Sequence, residues 1–366
     1  MKVLFVGAQL DKGGGEAFQS LQIFHELRKS VEGDYLCLRS VGPHYDLLEQ
    51  EGIRVVGRLR MPQGIWDLRS AIQAERGDWD IVQLFDVYFA LPAAYLARAF
   101  PRAVLFGIDP ITELGWRYGT LGYGAAKFGL PVLLRETKLL VNSPVLAESF
   151  LPYSPTFIPN GVDVTRLGQL PEKAEARRLL GLDPKARIIH WLGKAIYAKR
   201  IEWLFETLRR IPDSLLVAVG GFNEEHYGDR YLRDIQARYS DVAARARFVG
   251  EVPTPQVALY LAAADVFAFP SRFEGMPNAL MEAMAAGLPV VASDIPAHRV
   301  LIRPRETGFL ARDPIEFAEM VSALLSDPAL ASQIGLRAQE FVREEFTFDR
   351  ISRRYLELYR GLLAPA

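Results

Sequence analysis

The segment 264–293 constrains the fold most, because it holds a strand, a loop, a helix and a second strand in close succession. The apolar run at 266–269, bounded by an aspartate and a proline, predicts a strand buried on both faces of a parallel sheet. A helix is predicted from Asn278, which would cap it, to its end at Gly287, followed by a strand at 288–292. Open α/β sheets bind ligands at loops that, like this one, follow the carboxyl end of a strand.

Two carboxylates stand in this segment: Glu274 just before the helix and Glu282 inside it among apolar side chains. A carboxylate in apolar surroundings is costly unless it is hydrogen-bonded or paired. Vicinal hydroxyls of a sugar or a ribose would suit it, and the N–H groups of Gly275, Met276 and Asn278 beside a helix start would suit an anion. The alternative is that Glu282 is an exposed helix residue and Glu274 an ordinary neighbour of the cap.

Size and composition indicate a two-domain globular protein. The chain has 366 residues, half of them hydrophobic, and a formal net charge of −1, which gives no global field for nucleic acid. The single cysteine, Cys37, excludes an intramolecular disulfide and fits a reducing compartment. The apolar stretch in the first ten residues is too short for the core of a signal peptide. No run of about 18 uninterrupted apolar residues occurs, so no transmembrane helix is expected. We therefore expect a cytoplasmic protein that could touch a membrane surface peripherally.

Strands and helices alternate along the chain, which predicts parallel sheets built from βαβ units. The first strand, at 2–8, leads through a triple-glycine loop to a helix at 16–29; the loop is either a phosphate site or a flexible turn, and it lacks the dinucleotide-binding spacing. Further strands are predicted at 34–39, 54–56, 80–84, 103–107, 138–142, 156–158, 188–192, 215–219 and 247–250. Further helices are predicted at 65–75, 89–100, 314–325, 329–345 and 350–363.

Basic residues follow the strand at 188–192. Lys194, Lys199 and Arg200 at a strand exit favour a phosphate clamp, although surface basic residues are often merely solvated. By contrast, the pair Asp78 and Asp80 resembles a DxD metal motif but stands where a strand begins, so a metal site is not expected there.

The run PSRFEGMPNALMEAMAAGLPVVASD at 270–294 is similar to the E-x7-E signature of retaining glycosyltransferases of family GT4. The runs PNGVD at 159–163 and TGFL at 307–310 also match that family, and the resemblance spans essentially the whole chain. It implies the α/β GT-B fold, in which two Rossmann-like parallel-sheet domains face a central cleft. The domains would be an acceptor-side domain at 1–168, a donor domain at 169–345 and a C-terminal helix at 346–366 that packs back on the first domain.

The resemblance also implies transfer of a sugar from a UDP-, GDP- or ADP-sugar to a carbohydrate or lipid-linked acceptor with retention, without a metal or another cofactor. Glu274 would orient the donor sugar, Glu282 would hold the ribose hydroxyls, and Lys194 and Lys199 would bind the diphosphate. The implied donor-binding residues are Gly14, Gly15, Lys194, Lys199, Val249, Arg272, Glu274, Gly275, Met276, Pro277, Asn278 and Glu282, with Glu16 on the acceptor side. The implied catalytic residues are Glu274, Lys199, Lys194 and Asp109.

The chain departs from the family pattern at two positions. Lys194 replaces the more common arginine, which keeps the charge but loses the bidentate geometry. Ile108 stands where a histidine is usual, with Asp109 next to it as a substitute to orient the sugar or accept a proton. The alternative to an active transferase is therefore a non-catalytic GT-B subunit that binds a nucleotide sugar or a partner enzyme. A GT-B epimerase or phosphorylase is less consistent with the E-x7-E motif, which is typical of transferases. The aromatic and glycine-rich segment 116–131 could be an acceptor-side lid, a membrane-touching surface or a plain loop.

Overall fold

The structure, a computed structural model, describes residues 1–7, 15–39, 51–58, 60, 62–75, 79–85, 89–98, 103–107, 137–221 and 228–364. The chain divides into two compact units. The first unit comprises Met1–Gly161 together with Phe348–Ala366, and the second comprises Val162–Thr347.

The described part of the first unit is built on a parallel sheet of seven strands in the order β3-β2-β1-β4-β5-β6-β7. The strands are β1 Lys2–Gly7, β2 Glu32–Arg39, β3 Ile53–Arg58, β4 Ile81–Leu84, β5 Ala103–Gly107, β6 Lys138–Val141 and β7 Thr156–Phe157. Its helices before residue 161 are α1 Gly15–Leu27, α2 Gln63–Ala74, α3 Ala90–Leu96 and α4 Pro144–Ser149. The central strand β4 is buried along its whole length, as its apolar sequence predicts.

The second unit has six parallel strands in the order β10-β9-β8-β11-β12-β13 within its described residues. The strands are β8 Arg187–Leu192, β9 Ser214–Val219, β10 Ala246–Gly250, β11 Val266–Phe269, β12 Val290–Ser293 and β13 Phe309–Ala311. The helices are α5 Val164–Leu167, α6 Lys173–Leu179, α7 Glu202–Arg210, α8 Gly228–Arg238, α9 Thr254–Ala263, α10 Asn278–Ala285, α11 Pro296–Leu301, α12 Pro314–Ser326 and α13 Pro328–Glu345. Both sheets therefore have the Rossmann strand order. The strand that comes first in the sequence lies in the middle of the sheet, and the following strands are added first on one side of it and then on the other.

The last helix, α14 Phe348–Leu363, belongs to the first unit. Its apolar face buries Ile351, Tyr355 and Tyr359 in the same core cluster as Phe5 of β1. The Tyr359 hydroxyl donates to Oε1 of Gln83 at 2.8 Å inside that core, so a buried polar pair fixes the helix against the central strand of the sheet.

The division between the units falls after Gly161, earlier than the expected position near residue 168. Val162 N–H donates to the carbonyl of Phe346 at 2.8 Å, and Asp163 caps α5 by accepting from two backbone N–H groups at 3.1 Å. Leu167 of α5 is buried in the core of the second unit. The residues after the PNG turn are thus held by the second unit, because hydrogen bonds and burial outweigh their resemblance to a linker.

Asp80 has a structural role, since its carboxylate accepts from the backbone N–H of Lys2 at 2.8 Å where the first strand begins. Asp78 and the segment 116–131 lie outside the described residues. In the described ranges, no helix combines the length and the apolar character that crossing a membrane requires.

Candidate active site

The strand order of the second sheet marks one crevice as the place for a ligand. The order reverses between β8 and β11, so the loops that leave their carboxyl ends, at 193–201 and 270–277, diverge from neighbouring strands. Open α/β sheets bind ligands at such a switch point. The two lysines and the first glutamate predicted from sequence all lie in these two loops.

Backbone atoms pack closely at the carboxyl ends of β8, β9 and β10. Gly193 N–H donates to Val219 at 3.0 Å, and Gly220 N–H donates to the carbonyl of Gly250 at 2.9 Å. Gly220 has φ +134°, and a Cβ atom there would lie 1.8 Å from the carbonyl oxygen of Gly193. Only glycine fits at position 220, and the rim of the crevice beside β8 is formed by main chain. Val249, predicted to bind the donor, is half-buried near the end of β10.

Helix α10 begins at the site and ends in a Schellman motif. Pro277 occupies the N-cap position and Asn278 is the first helical residue, so the predicted capping by the Asn278 side chain is wrong. At the other end, Gly287 has φ +77° and donates to the carbonyl of Met284, while Leu288 donates to that of Ala283. A well-terminated helix therefore points its amino end into the loop that holds Glu274.

The N–H groups of Gly275 and Met276 precede this helix. They make no hydrogen bond with any residue the structure describes. Gly275 is exposed, whereas Met276 and Pro277 are buried. Amides at a helix start without an acceptor favour an anionic ligand.

Glu274 and Lys199 form an ion pair across the two loops. Nζ of Lys199 donates to Oε1 of Glu274 at 2.5 Å, and the Ser271 hydroxyl donates to the same oxygen at 2.6 Å. The side chains are 10% and 19% exposed, and the ammonium group lies 5.3 Å from the centre of the Phe269 ring. Oε2 of Glu274 makes no hydrogen bond to a described residue, so one carboxylate oxygen is left for a ligand.

A buried hydrogen-bond chain supports the loop from behind. The Ser293 hydroxyl donates to the carbonyl of Ser271, and Nδ1 of His298 donates to the carbonyl of Ser293 at 2.7 Å. Because a carbonyl can only accept, Nδ1 carries the proton. Burial lowers the pKa of His298 to about 4, and the imidazole is therefore neutral.

Arg272 braces the two loops against each other. Its guanidinium donates to Oε1 of Glu202 and, through Nε, to the carbonyl of Tyr197 at 3.2 Å, and it stacks 4.2 Å from the Tyr197 ring. Its backbone N–H donates to Ala198 at 2.7 Å, and the Tyr231 hydroxyl donates to the second oxygen of Glu202. Arg272 was predicted to bind the donor, and in this structure its guanidinium holds the loops that carry Lys199 and Glu274.

Glu282 is paired with an arginine that the sequence analysis missed. Nη2 of Arg166, on α5, donates to Oε1 of Glu282 at 2.9 Å, while Nη1 donates to the carbonyl of Thr254 at 3.1 Å. Burial raises the pKa of the Glu282 carboxyl, and the charge of Arg166 opposes that shift. The two residues are 116 positions apart, and no motif links them.

Other predicted residues are placed less closely. Lys194 lies on the same loop as Lys199 and is exposed. Gly15 and Glu16 begin α1, whereas Gly14, Ile108 and Asp109 lie outside the described residues. Within the described part of the chain, no cluster of three or more histidine, cysteine or acidic side chains is arranged to hold a metal ion.

Comparison with known proteins finds similarity over the part of the chain that holds Lys199, Glu274 and Glu282. Residues 186–327 match the family model described as "Glycosyl transferases group 1". A lipopolysaccharide core biosynthesis mannosyltransferase, LpcC of Rhizobium leguminosarum bv. viciae, is 30% identical over 63% of this chain and 66% of its own length. A GDP-mannose-dependent alpha-(1-6)-phosphatidylinositol monomannoside mannosyltransferase of Mycobacterium tuberculosis is 28% identical over 74% of each chain.

Solved structures identify the fold. A sucrose-phosphate synthase from Thermosynechococcus elongatus superposes with a TM-score of 0.80 over 100% of both chains at 21% identity. Anabaena HepE, crystallised with UDP-glucose, superposes with a TM-score of 0.80 over 99% of this chain and 100% of its own at 20% identity. The fold is thus GT-B, with two Rossmann-like domains, as the sequence resemblance implied. Together with the family match, the named relatives support a glycosyltransferase.

Proposed function

We propose that this protein is a retaining glycosyltransferase that transfers a sugar from a nucleotide-sugar donor to an acceptor hydroxyl without a metal ion. One observation carries the proposal. At the switch point of the second sheet, Lys199 and Ser271 hold one oxygen of Glu274 and leave the other without a protein partner among the described residues. A carboxylate fixed in this way, with one oxygen left over, is suited to orient a sugar.

The leaving group in this reaction is a nucleoside diphosphate, whose negative charge grows as the glycosidic bond breaks. Lys199 retains two N–H donors beyond the one that contacts Glu274, and Lys194 on the same loop supplies a second cation. The N–H groups of Gly275 and Met276 at the start of α10 add fixed dipoles of the same sign. Preorganised donors of this kind stabilise charge that develops in the transition state, which is the task a metal performs in other enzymes.

Glu274 acts on the sugar in this proposal. Its free oxygen accepts from a hydroxyl of the donor sugar, and its charge stabilises the positive anomeric carbon while the bond to the diphosphate breaks. The acceptor oxygen then bonds to that carbon on the same face. We assign the uptake of the acceptor proton to Asp109, beside Ile108 at the family's usual histidine position.

The curated relatives favour mannose as the transferred sugar and GDP-mannose as the donor. Both relatives described above are mannosyltransferases, and the mycobacterial one is named for its dependence on GDP-mannose. Their names refer to lipopolysaccharide core biosynthesis and to phosphatidylinositol monomannoside, so we propose a carbohydrate or lipid-linked acceptor here. A cytoplasmic location with peripheral membrane contact, and a reducing compartment that suits the single cysteine, complete the proposal.

The test is a screen of the purified full chain against GDP-mannose, UDP-glucose and ADP-glucose in the presence of EDTA. Thermal shift reports binding, and release of free sugar reports turnover. We expect one nucleotide class to stabilise the protein, and Glu274→Gln to lower sugar release at least about a hundredfold. Glu175→Gln, in an exposed ion pair of the same unit, is the matched control and is expected to act like the wild type.

Each other result has a definite meaning. Binding without turnover, also with acceptor extracts, would support a non-catalytic nucleotide-sugar-binding subunit. Equal turnover by Glu274→Gln and wild type would remove Glu274 from the reaction. Inversion of the anomeric configuration, measured by NMR on the product, would contradict the retaining mechanism. If no nucleotide binds, the donor site is wrongly assigned.

A further inference from the structure

We infer that Arg166 is a positioning residue for recognition of the donor ribose: it fixes the orientation in which the Glu282 carboxylate accepts both ribose hydroxyls. The inference rests on the proposed function, in which Glu282 binds the ribose. It adds a residue that lies outside the matched segment 186–327 and outside every motif in the sequence.

The contacts of Arg166 define its orientation from two sides. Nη1 donates to the carbonyl of Thr254, the first residue of α9, at 3.1 Å, and Nη2 donates to Oε1 of Glu282 at 2.9 Å. Asp163 caps α5, the short helix on which Arg166 stands. Two other segments of the second unit thus hold the guanidinium that α5 carries, which leaves it little rotational freedom.

The arrangement leaves Glu282 able to bind a diol. A carboxylate offers about four acceptor positions on its two oxygens, and Arg166 uses one of them. Oε2 makes no hydrogen bond to a residue within the described ranges. Two adjacent hydroxyls can therefore donate to the same group while Arg166 remains bound.

The charge of Arg166 matters because Glu282 is nearly enclosed. Its side chain is 18% exposed and that of Arg166 is 21% exposed. Burial raises the pKa of the Glu282 carboxyl, and the nearby charge of Asp163 adds to that shift, whereas Arg166 lowers the pKa. Without Arg166 the proton would be held more tightly, and a protonated carboxyl presents a donor where the ribose needs an acceptor.

Arg166 also retains a group that serves no hydrogen bond within the described structure. Its Nε–H is buried and has no partner there. A guanidinium kept only for stability would be expected to satisfy its buried donors, because each unsatisfied one is unfavourable. The geometry instead favours the two contacts that Nη1 and Nη2 make, with Thr254 and with Glu282.

The experiment compares ribonucleotides with their 2′-deoxy forms on the full-length protein. Isothermal titration with GDP and 2′-deoxy-GDP, and with UDP and 2′-deoxy-UDP, measures the preference for ribose. For wild type we expect the ribonucleotide to bind about tenfold or more tightly, since one hydrogen bond to a charged group is removed in the deoxy form. Glu282→Gln is expected to lose most of that preference.

Arg166→Met is expected to lose the ribose preference to within about twofold while still binding the deoxynucleotide like wild type. A merely structural role would weaken both nucleotides equally. Arg166→Lys, which keeps the charge, is expected to recover part of the preference. Arg178→Met, which breaks an exposed arginine–glutamate pair of the same unit, is the matched control and keeps the full preference.

Failures of the two proposals are distinguishable. If wild type binds neither GDP nor UDP, the donor site itself is wrong and the inference falls with it. If wild type binds but shows no ribose preference, Glu282 does not read the ribose. If wild type and Glu282→Gln differ as expected but Arg166→Met keeps the preference, or loses affinity for both nucleotides alike, then Arg166 does not position Glu282.

Discussion

Removal of the Lys199 ammonium tests whether its pair with Glu274 serves the fold or the reaction. The two side chains are 19% and 10% exposed, and both face the same pair of loops. Breaking a buried ion pair from one side costs about 3–5 kcal/mol, because it leaves the other charge without compensation. Glu274 keeps the Ser271 hydroxyl and some contact with water. We therefore expect Lys199→Met to lower the free energy of unfolding by about 2–3 kcal/mol, at or just below the lower limit of that range.

The double variant distinguishes the two roles. Glu274→Gln alone leaves the ammonium unpaired and is expected to cost about 2 kcal/mol. In Lys199→Met with Glu274→Gln, no charge remains and the new amide can still bond to Ser271, so a cost of about 1 kcal/mol is expected. The coupling free energy between the two positions is then about 3–4 kcal/mol. Activity should not recover with stability, because the double variant lacks both charged groups that act on the donor.

Urea unfolding at pH 7 supplies the measurement, since Trp191 and Trp203 are buried in the core of the second unit and report its unfolding. Sugar release from the donor is measured on the same four proteins. If the costs of the two single substitutions simply add in the double variant, the coupling is refuted. Recovery of activity in the double variant would show that the pair is structural only.

Three further substitutions test other parts of the structure. Gly220→Ala would place a Cβ atom 1.8 Å from the carbonyl oxygen of Gly193, at a residue with φ +134°. We expect the free energy of unfolding in urea to fall by roughly 3 kcal/mol or more and nucleotide binding to be lost. A variant as stable as the wild type would contradict the close packing. Burial lowers the pKa of His298 from 6.5 to about 4. Between these pH values the histidine is protonated in the unfolded chain but not in the folded one, so the stability falls as the pH falls. His298→Asn keeps a similarly placed donor and does not titrate. It should reduce the loss in the free energy of unfolding between pH 6.5 and 4 by up to about 3 kcal/mol, whereas an unchanged loss would show that the histidine of the folded protein is already charged. Tyr359→Phe would leave Oε1 of Gln83 without its buried donor and should cost about 1–3 kcal/mol in thermal or urea unfolding, whereas an unchanged stability would argue against the hydrogen bond.

Local pattern predicted the elements whose cause is local. The apolar run at Val266–Phe269 forms a fully buried strand, and Gly287 ends helix α10 with a positive φ, as a residue without a Cβ readily does. Helix ends were less accurate. The helix predicted at 89–100 runs only over Ala90–Leu96, since Arg98 adopts a left-handed backbone conformation with φ +56°. Helices α7, α8, α9 and α11 were not predicted, and the last two begin beside prolines.

The sequence by itself determined the class of fold and the glutamate around which the site is built. Alternation of strands and helices requires parallel sheets, and the spacing of Glu274 from strand β11 places it in the loop at the sheet's carboxyl end. Only the tertiary structure decided what these carboxylates contact. Arg166 reaches Glu282 from 116 residues away, and Glu202 engages Arg272 from 70 residues away. Periodicity describes neighbours along one helix or strand, whereas ion pairs between segments depend on how the sheet brings distant loops together, and that information is absent from any local pattern.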